Sequence, residues 1–295
     1  MHHLNILWKF SRPHTIIGSI FSITTLYVLA CEGKNMGEHI GLLTATLIAG
    51  LSCNVFIVGI NQIVDVDVDV INKPYLPIAA GSLSLPSAIK MVIVAIVLSM
   101  AVAFSVSWFL GLLISVITII GILYSVPPIQ LKKHHLPAAL CITLVRGLLV
   151  NIGMFVHFRY SIFHVEITTT LPSFIWPLTN FMMAFSIAIA WFKDLPDTDG
   201  DLQYHFKTLP LLYSKKTAFI AGSTLIIIAY VYSIVWSYLN NYQFLLYGCT
   251  FFLLLFLLHL TTIHLTDTAK LKRFYLRFWF FFFAMYLLFM TWFLV

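Results

Sequence analysis

Long apolar runs separated by short polar stretches dominate the chain. A window of about 19 residues finds nine such runs, near 14–31, 40–62, 86–106, 108–126, 137–158, 171–193, 217–237, 243–262 and 274–294, each able to cross a ~30 Å hydrocarbon core as a helix. The runs are continuously apolar, whereas an outer-membrane barrel needs segments of about ten residues with alternating polarity. The pattern therefore predicts an all-α integral membrane bundle of nine transmembrane helices, each satisfying its own backbone hydrogen bonds. Residues 1–295 read as a single transmembrane domain.

Two stretches carry polar pattern of another kind. NQIVDVDVDVINKP (61–74) ends the second run, and KDLPDTDGD (193–201) ends the sixth. Alternation of Asp65, Asp67 and Asp69 with valines suggests a half-buried strand, but the second copy has Thr198 and Gly200 where the first has valines. What both copies share is [QD]-x-x-D-x-D-x-D, which aligns Gln62, Asp65 and Asp69 with Asp194, Asp197 and Asp201. Residues at i, i+3 and i+7 lie on one helical face, so the helical period is the predicted one. Seven of the eleven acidic residues sit in these two places. Carboxylates this close repel one another unless a cation neutralises them. Oxygen ligands with no His or Cys nearby favour Mg²⁺ or Ca²⁺ over zinc, and Mg²⁺ is usually shared with substrate phosphates. Two acidic faces opposite each other suggest a diphosphate held between them through bridging metal ions.

Composition agrees with the membrane reading: 60% of residues are hydrophobic and 9% charged, far outside soluble usage. The net charge of +6 does not point to nucleic acid, because the basic residues fall between the apolar runs. Counted from an inside N-terminus, fourteen Lys and Arg lie on one face, Lys34 and Arg159 on the other, and Arg146 within a run. That bias places the N-terminus and both acidic stretches on the cytoplasmic or equivalent side and the C-terminus opposite. Cys31, Cys53, Cys141 and Cys249 have no metal-ligand spacing and read as buried thiols. VLAC at 28–31 mimics a processing site, yet an uncleaved first span is expected, since removal would delete Arg12 and one helix.

Together with NKPYLPIAAG (72–81), LYSVPPIQLKK (123–133) and nine spans, the two acidic motifs resemble the UbiA superfamily of intramembrane prenyltransferases over essentially the whole chain. Asn61-Gln62, NKPYLP and SRPHT (11–15) are similar to the homogentisate prenyltransferases within it. The resemblance implies Mg²⁺-dependent transfer, with Mn²⁺ as a substitute, of a prenyl group from an allylic diphosphate to an aromatic acceptor, with homogentisate losing its carboxylate. Asp65, Asp69, Asp197 and Asp201 would be catalytic, and these four with Asp194 would hold metal. Asn61 and Gln62, which open the first motif, would face the substrates, and at Gln62 the chain departs from the superfamily, where an aspartate is common.

Basic residues beside the motifs are candidates for the diphosphate: Lys73, Lys193, Arg12 and the Lys132–Lys133 pair, each with a rival reading as a topology signal that is strongest for that pair. A charge inside a span normally faces a cavity, so Arg146 and Asn151 in LVRGLLVNIG are expected to line one, with Tyr124 and Ser125 at the end of span four. The aromatic run FWFFFFAMY (278–286) reads as lipid contact or helix packing. Other acceptors stay open: 4-hydroxybenzoate, a naphthoate, a chlorophyllide or an ether-lipid precursor. A cation transporter is the rival class, but its site would lie at the bilayer midplane between broken helices. The expected partners are the prenyl diphosphate, the aromatic acceptor and the lipid bilayer, and no nucleic acid. The lack of an evident transit peptide suggests a bacterial rather than a plastid protein.

Overall fold

The computed structural model describes residues 2–164 and 171–295, with side chains from Asn5 onward. In chain order the helices are α1 (His2–Phe10), α2 (Pro13–Ala30), α3 (Ile40–Val64), α4 (Val66–Asn72), α5 (Leu85–Val106), α6 (Trp108–Ser125), α7 (His135–Ile142), α8 (Met154–Phe163), α9 (Ile175–Phe192), α10 (Thr198–Gln203), α11 (Leu209–Leu212), α12 (Lys215–Leu239), α13 (Gln243–Leu260) and α14 (Thr268–Trp292). A π-helical stretch, Thr143–Gly153, joins α7 to α8 in one span. Among the described residues nine helices are long and apolar enough to cross a membrane, at the nine places the hydropathy pattern marks. Elements beyond that pattern are α1, which precedes the first span, and the short α4, α10 and α11 between spans.

Local chemistry sets the boundaries. Ser84, Ser214 and Asp267 cap α5, α12 and α14 by accepting the backbone N–H groups of Ser87, Thr217 and Lys270, satisfying donors that the first helical turn leaves free. Ser107 ends α5 and caps α6, accepting from the Leu110 N–H at 3.1 Å, so the hairpin turns on one extended residue. That tight turn brings Phe104 against Gly111, where a Cβ would stand 2.3 Å from the Phe104 ring.

The spans close into a ring. α2 packs on α3, α3 on α5 and α6, the α7–α8 span on α6 and α9, α9 on α12, α12 on α13, and α14 on α13 and back on α2. α9 is the most enclosed span, with 67% of its residues buried, against 17% for the lipid-facing α13. The FWFFFFAMY run is chiefly helix packing: Phe278, Phe281 and Phe282 are buried and Phe280 is exposed. Phe278 stacks on Phe185 of α9 with ring centroids 4.4 Å apart. Such pairs contribute about 0.5–1.5 kcal/mol beyond their area.

The π-helical stretch is held by Asn151. Its amide Nδ2 donates to the carbonyls of Arg146 and Gly147, both at 2.9 Å, and its Oδ1 accepts from the Tyr286 hydroxyl at 2.8 Å. Gly147 lets this stretch lie directly on α9, since a Cβ there would meet the Met183 backbone at 2.8 Å. Wider turns change the helical register, and Arg146 thereby faces the interior cavity.

Candidate functional site: a charged chamber

The end of α3, α4, the start of α9's downstream loop and α10 come together at one end of the bundle, where α4 packs on α10. Helical hydrogen bonding runs through the first motif. Asp65 N–H bonds the Asn61 carbonyl, Asp69 N–H that of Asp65, and Lys73 N–H that of Asp69. Asp65 itself bends the backbone away from ideal helix (φ −100°, ψ 18°). Gln62, Asp65, Asp69 and Asn72 are buried while Asp67 is exposed, and in the second motif Asp194, Asp197 and Asp201 are buried while Asp199 is exposed. The helical period is the one that governs both motifs.

A chamber of about 480 Å³ opens here, within the size range of small-molecule sites. Its polar end is lined by Arg12, Asn61, Asp65, Asp69, Lys73, Lys132, Lys193, Asp194, Asp197, Asp201 and Lys272. Towards the membrane interior it is lined by Ile57, Ile117, Gly121, Ile142, Val145, Ile189 and Trp279. Lysines separate the carboxylates. Lys132 Nζ lies 2.6 Å from Asp65, Lys193 lies 2.6 Å from Asp194, and Lys73 lies 2.6 Å from Asp197 and 3.7 Å from Asp69.

Burial and mutual repulsion act on Asp69, Asp194 and Asp201 in the same direction. Burial pushes the Asp201 carboxyl up to about 7, with the neighbouring Asp194 and Asp197 charges adding to it and Lys193 and Lys73 opposing. Burial likewise raises Asp69 and Asp194 against the pull of Lys73 and Lys193 respectively. Burial works to lower Lys73, but Asp197 and Asp69 together raise it above the ordinary lysine value. In Lys132 burial prevails over Asp65 and lowers it. Keeping Asp69, Asp194 and Asp201 ionised thus calls for more positive charge than the neighbouring lysines bring.

Among the described residues no three acids converge closely enough to hold a metal as they stand. The donor set nonetheless fits a hard divalent cation: every candidate ligand is a carboxylate, and Asp69 Oδ2 is buried with no hydrogen-bond partner.

Most of the residues singled out from sequence line the chamber: Asp65, Asp69, Asp194, Asp197, Asp201, Asn61, Lys73, Lys193, Arg12, Tyr124 and Arg146. Arg12 adopts a left-handed conformation (φ 53°) before Pro13 and donates to Asn61 Oδ1 at 3.3 Å. A non-glycine residue there costs about 1 kcal/mol or more. Asn61 Nδ2 in turn donates to Ser125 Oγ at 3.4 Å. Arg146 lies over the Trp279 ring, 4.6 Å from its centroid.

Two candidates are not brought to the chamber. Gln62 faces α1, donating to the Phe10 carbonyl at 2.7 Å, and so anchors a helix at the position aligned with Asp194. Asn151 holds the π-helical stretch and does not line the cavity. Of the Lys132–Lys133 pair, for which the topology reading is the strongest rival, Lys132 lies in the chamber, 4% exposed and paired with Asp65.

Sequence reasoning passed over Asn72, Lys272, Tyr275, Trp279 and His14. Asn72 continues the buried face of the first motif by one more turn, which is the signal that could have found it. Its Nδ2 donates to Asp201 at 3.2 Å and its Oδ1 accepts the Gly200 N–H at 3.0 Å, joining the two motifs. Lys272 Nζ donates to the Asn72 carbonyl at 2.9 Å. Lys272, Tyr275 and Trp279 share a helical spacing of i, i+3 and i+7 at the start of the last span. His14 packs against Trp279 with ring centroids 4.9 Å apart.

Fold and site together define a multi-pass membrane protein with a buried chamber, charged at one end and apolar at the other. A model of the UbiA prenyltransferase family matches residues 19–291, and the chain belongs to that family. It is 38% identical to the homogentisate phytyltransferase of Synechocystis sp., over 98% of this chain and 95% of that one. It is 36% identical to homogentisate phytyltransferase 1, chloroplastic, of Arabidopsis thaliana over 79% of this chain, but spans 60% of that protein's length. Among solved structures, a UbiA homolog from Archaeoglobus fulgidus bound to GPP and Mg²⁺ matches with a TM-score of 0.63, at 16% identity over 95% of this chain and 99% of that one. A UbiA homolog from Aeropyrum pernix K1 matches at 0.66 and 17% identity, over 92% and 94% of the two chains.

The Asn72 bridge yields a stability test. A Cβ on Gly200 would stand 2.5 Å from Asn72 Oδ1, so Gly200→Ala and Asn72→Ala break the same contacts. Each should lower the unfolding free energy in detergent, and the double variant should fall short of the summed losses by about 0.5–3 kcal/mol. Additive losses would contradict a shared bridge.

Proposed function

We propose that the protein transfers a prenyl group from an allylic prenyl diphosphate to homogentisate, with loss of the acceptor's carboxylate. The observation that carries this reading is the chamber itself, in which two acidic faces and their lysines meet an apolar pocket, in a chain that resembles homogentisate prenyltransferases along its length. The diphosphate lies at the charged end and the hydrocarbon tail extends along Ile57, Ile117, Gly121 and Val145.

Asp65, Asp69, Asp194, Asp197 and Asp201 would hold a divalent metal, Mg²⁺ or in its place Mn²⁺, and that metal would supply charge neutralisation for the leaving diphosphate. Lys73, Lys132, Lys193 and Arg12 reach the phosphate oxygens from the other sides. The allylic C–O bond breaks with its electron pair leaving on the diphosphate, and the aromatic faces of Tyr124, Tyr275 and Trp279 shield the positive carbon. The electron-rich ring attacks that carbon. The ring then releases one proton, and departure of CO₂ leaves a benzylic carbon that takes one up, so protons balance. Arg146, a cation within a span and without an acid partner among the described residues, receives the acceptor's carboxylate.

The active site faces the cytoplasm or an equivalent compartment, a reading supported by the fourteen-to-two distribution of basic residues.

The test supplies purified protein with Mg²⁺, phytyl and geranylgeranyl diphosphates, and homogentisate, 4-hydroxybenzoate and 1,4-dihydroxy-2-naphthoate in parallel, identifying products by mass. A prenylated methylquinol from homogentisate is expected. Prenylation of 4-hydroxybenzoate alone would overturn the acceptor. In the same assay Asp65→Ala, Asp69→Ala, Asp197→Ala and Asp201→Ala should each cost roughly 100-fold or more in kcat, while the exposed Asp67→Ala and Asp199→Ala stay within about twofold. Retained turnover in the first four would remove the metal assignment. Sidedness has its own readout: a reporter fused after Val295 should signal from the compartment opposite the acidic loops, and a cytoplasmic signal would refute the orientation.

A further inference from the structure

We propose that Lys73, Lys132 and Lys193 are resident counter-ions that change partners when the chamber loads, so that divalent metal and diphosphate bind tightly only together. This rests on the reading that the chamber takes a metal-bound prenyl diphosphate.

Each of these lysines is already committed to a carboxylate. Lys132 and Lys193 sit 2.6 Å from Asp65 and Asp194, and Lys73 spans Asp197 and Asp69. The acids are buried, Asp65 at 8% exposure and Asp194 at 4%, so no partner can leave without a replacement. A metal ion arriving alone at Asp65 and Asp69 must displace Lys132 and Lys73. The displaced ammonium groups then stand beside a dication in a low-dielectric chamber, with no anion to receive them. A diphosphate arriving alone meets the opposite obstacle, because lysines that turn to it leave bare carboxylates side by side.

When both arrive, each ammonium passes from a carboxylate oxygen to a phosphate oxygen while the metal takes the carboxylates, and the number of opposite-charge contacts is kept. Lysine suits this exchange, being a point charge on a flexible stem with three rotatable donors. Asp69 Oδ2, buried and without a partner, and Asp201, whose bond is to the neutral amide of Asn72, offer the metal a first contact, but filling its shell from Asp65, Asp194 and Asp197 still displaces the lysines. Linkage makes the coupling reciprocal: diphosphate tightens metal by the factor by which metal tightens diphosphate.

Simple bridging of a metal to a diphosphate also couples the two, so the lysines must be tested directly. The full chain, purified in detergent, is titrated with Mn²⁺ alone and with Mn²⁺ at saturating inorganic diphosphate, protein-bound Mn²⁺ being read by electron paramagnetic resonance. Wild-type protein should bind Mn²⁺ roughly tenfold or more tighter with diphosphate. Lys132→Met frees Asp65, so it should bind Mn²⁺ alone more tightly than wild type, while the diphosphate effect shrinks. Bridging without exchange predicts instead that the diphosphate effect keeps its wild-type size, because the lost charge then acts on Mn²⁺ equally with and without diphosphate. Lys193→Met, which frees Asp194, should move the same way and carries the test if Lys132→Met does not fold. Unchanged or weaker Mn²⁺ binding in the folded variants would overturn the exchange and leave prenyl transfer standing. A protein that shows the exchange yet prenylates no acceptor would contradict the proposed function alone.

Discussion

Five buried carboxylates set into two helix ends at a membrane boundary need positive charge within a few ångströms, and the chamber is arranged around that requirement. Lys132, Lys73 and Lys193 supply it; Lys132 ties the α6–α7 connection to the first acidic face and Lys73 ties the segment after α4 to the second, while Lys193 pairs with the adjacent Asp194. Breaking a buried pair by removing one partner costs about 3–5 kcal/mol. The acids therefore hold the loops over the chamber as well as lining it. Asn72 adds a neutral bridge between the two motifs, and Lys272 fixes that bridge to α14.

Below the charged end, the membrane interior sets a different constraint. A cation at that depth must face a cavity, and Arg146 does so from a π-helical stretch whose register is held by Asn151 and Tyr286. The aromatic packing of α14 on α9 makes the wall from which Trp279 is presented beneath Arg146. Packing and site chemistry meet on one helix: Phe278 and Phe281 are buried among other rings, while Lys272, Tyr275 and Trp279, one face round, line the chamber.

The spans were legible because twenty-odd apolar residues in a row admit few other structures. The acidic faces were legible because two copies shared a period of i, i+3 and i+7 that only a helix puts on one side. Alignment of the copies misled at Gln62, since a side chain one turn before Asp65 can point to α1 as readily as to the chamber. Lys132 was hidden by its neighbour, because paired lysines between spans look like a topology signal until folding buries one of them. Asn72, Lys272 and Trp279 act through tertiary contacts more than a hundred residues away in sequence. Asn151 was recognised as an interior polar residue, but nothing in its local sequence announces a π-helix.

The most direct measurement is a structure of this protein with Mg²⁺ and a non-hydrolysable thiolodiphosphate analogue of a prenyl diphosphate. Metal ions should lie between the Asp65–Asp69 and Asp197–Asp201 faces, with the diphosphate bridging them and the ammonium groups of Lys73, Lys132 and Lys193 on phosphate oxygens. A diphosphate bound away from the two acidic faces, or metal held there with all three lysines still on their carboxylates, would contradict that arrangement.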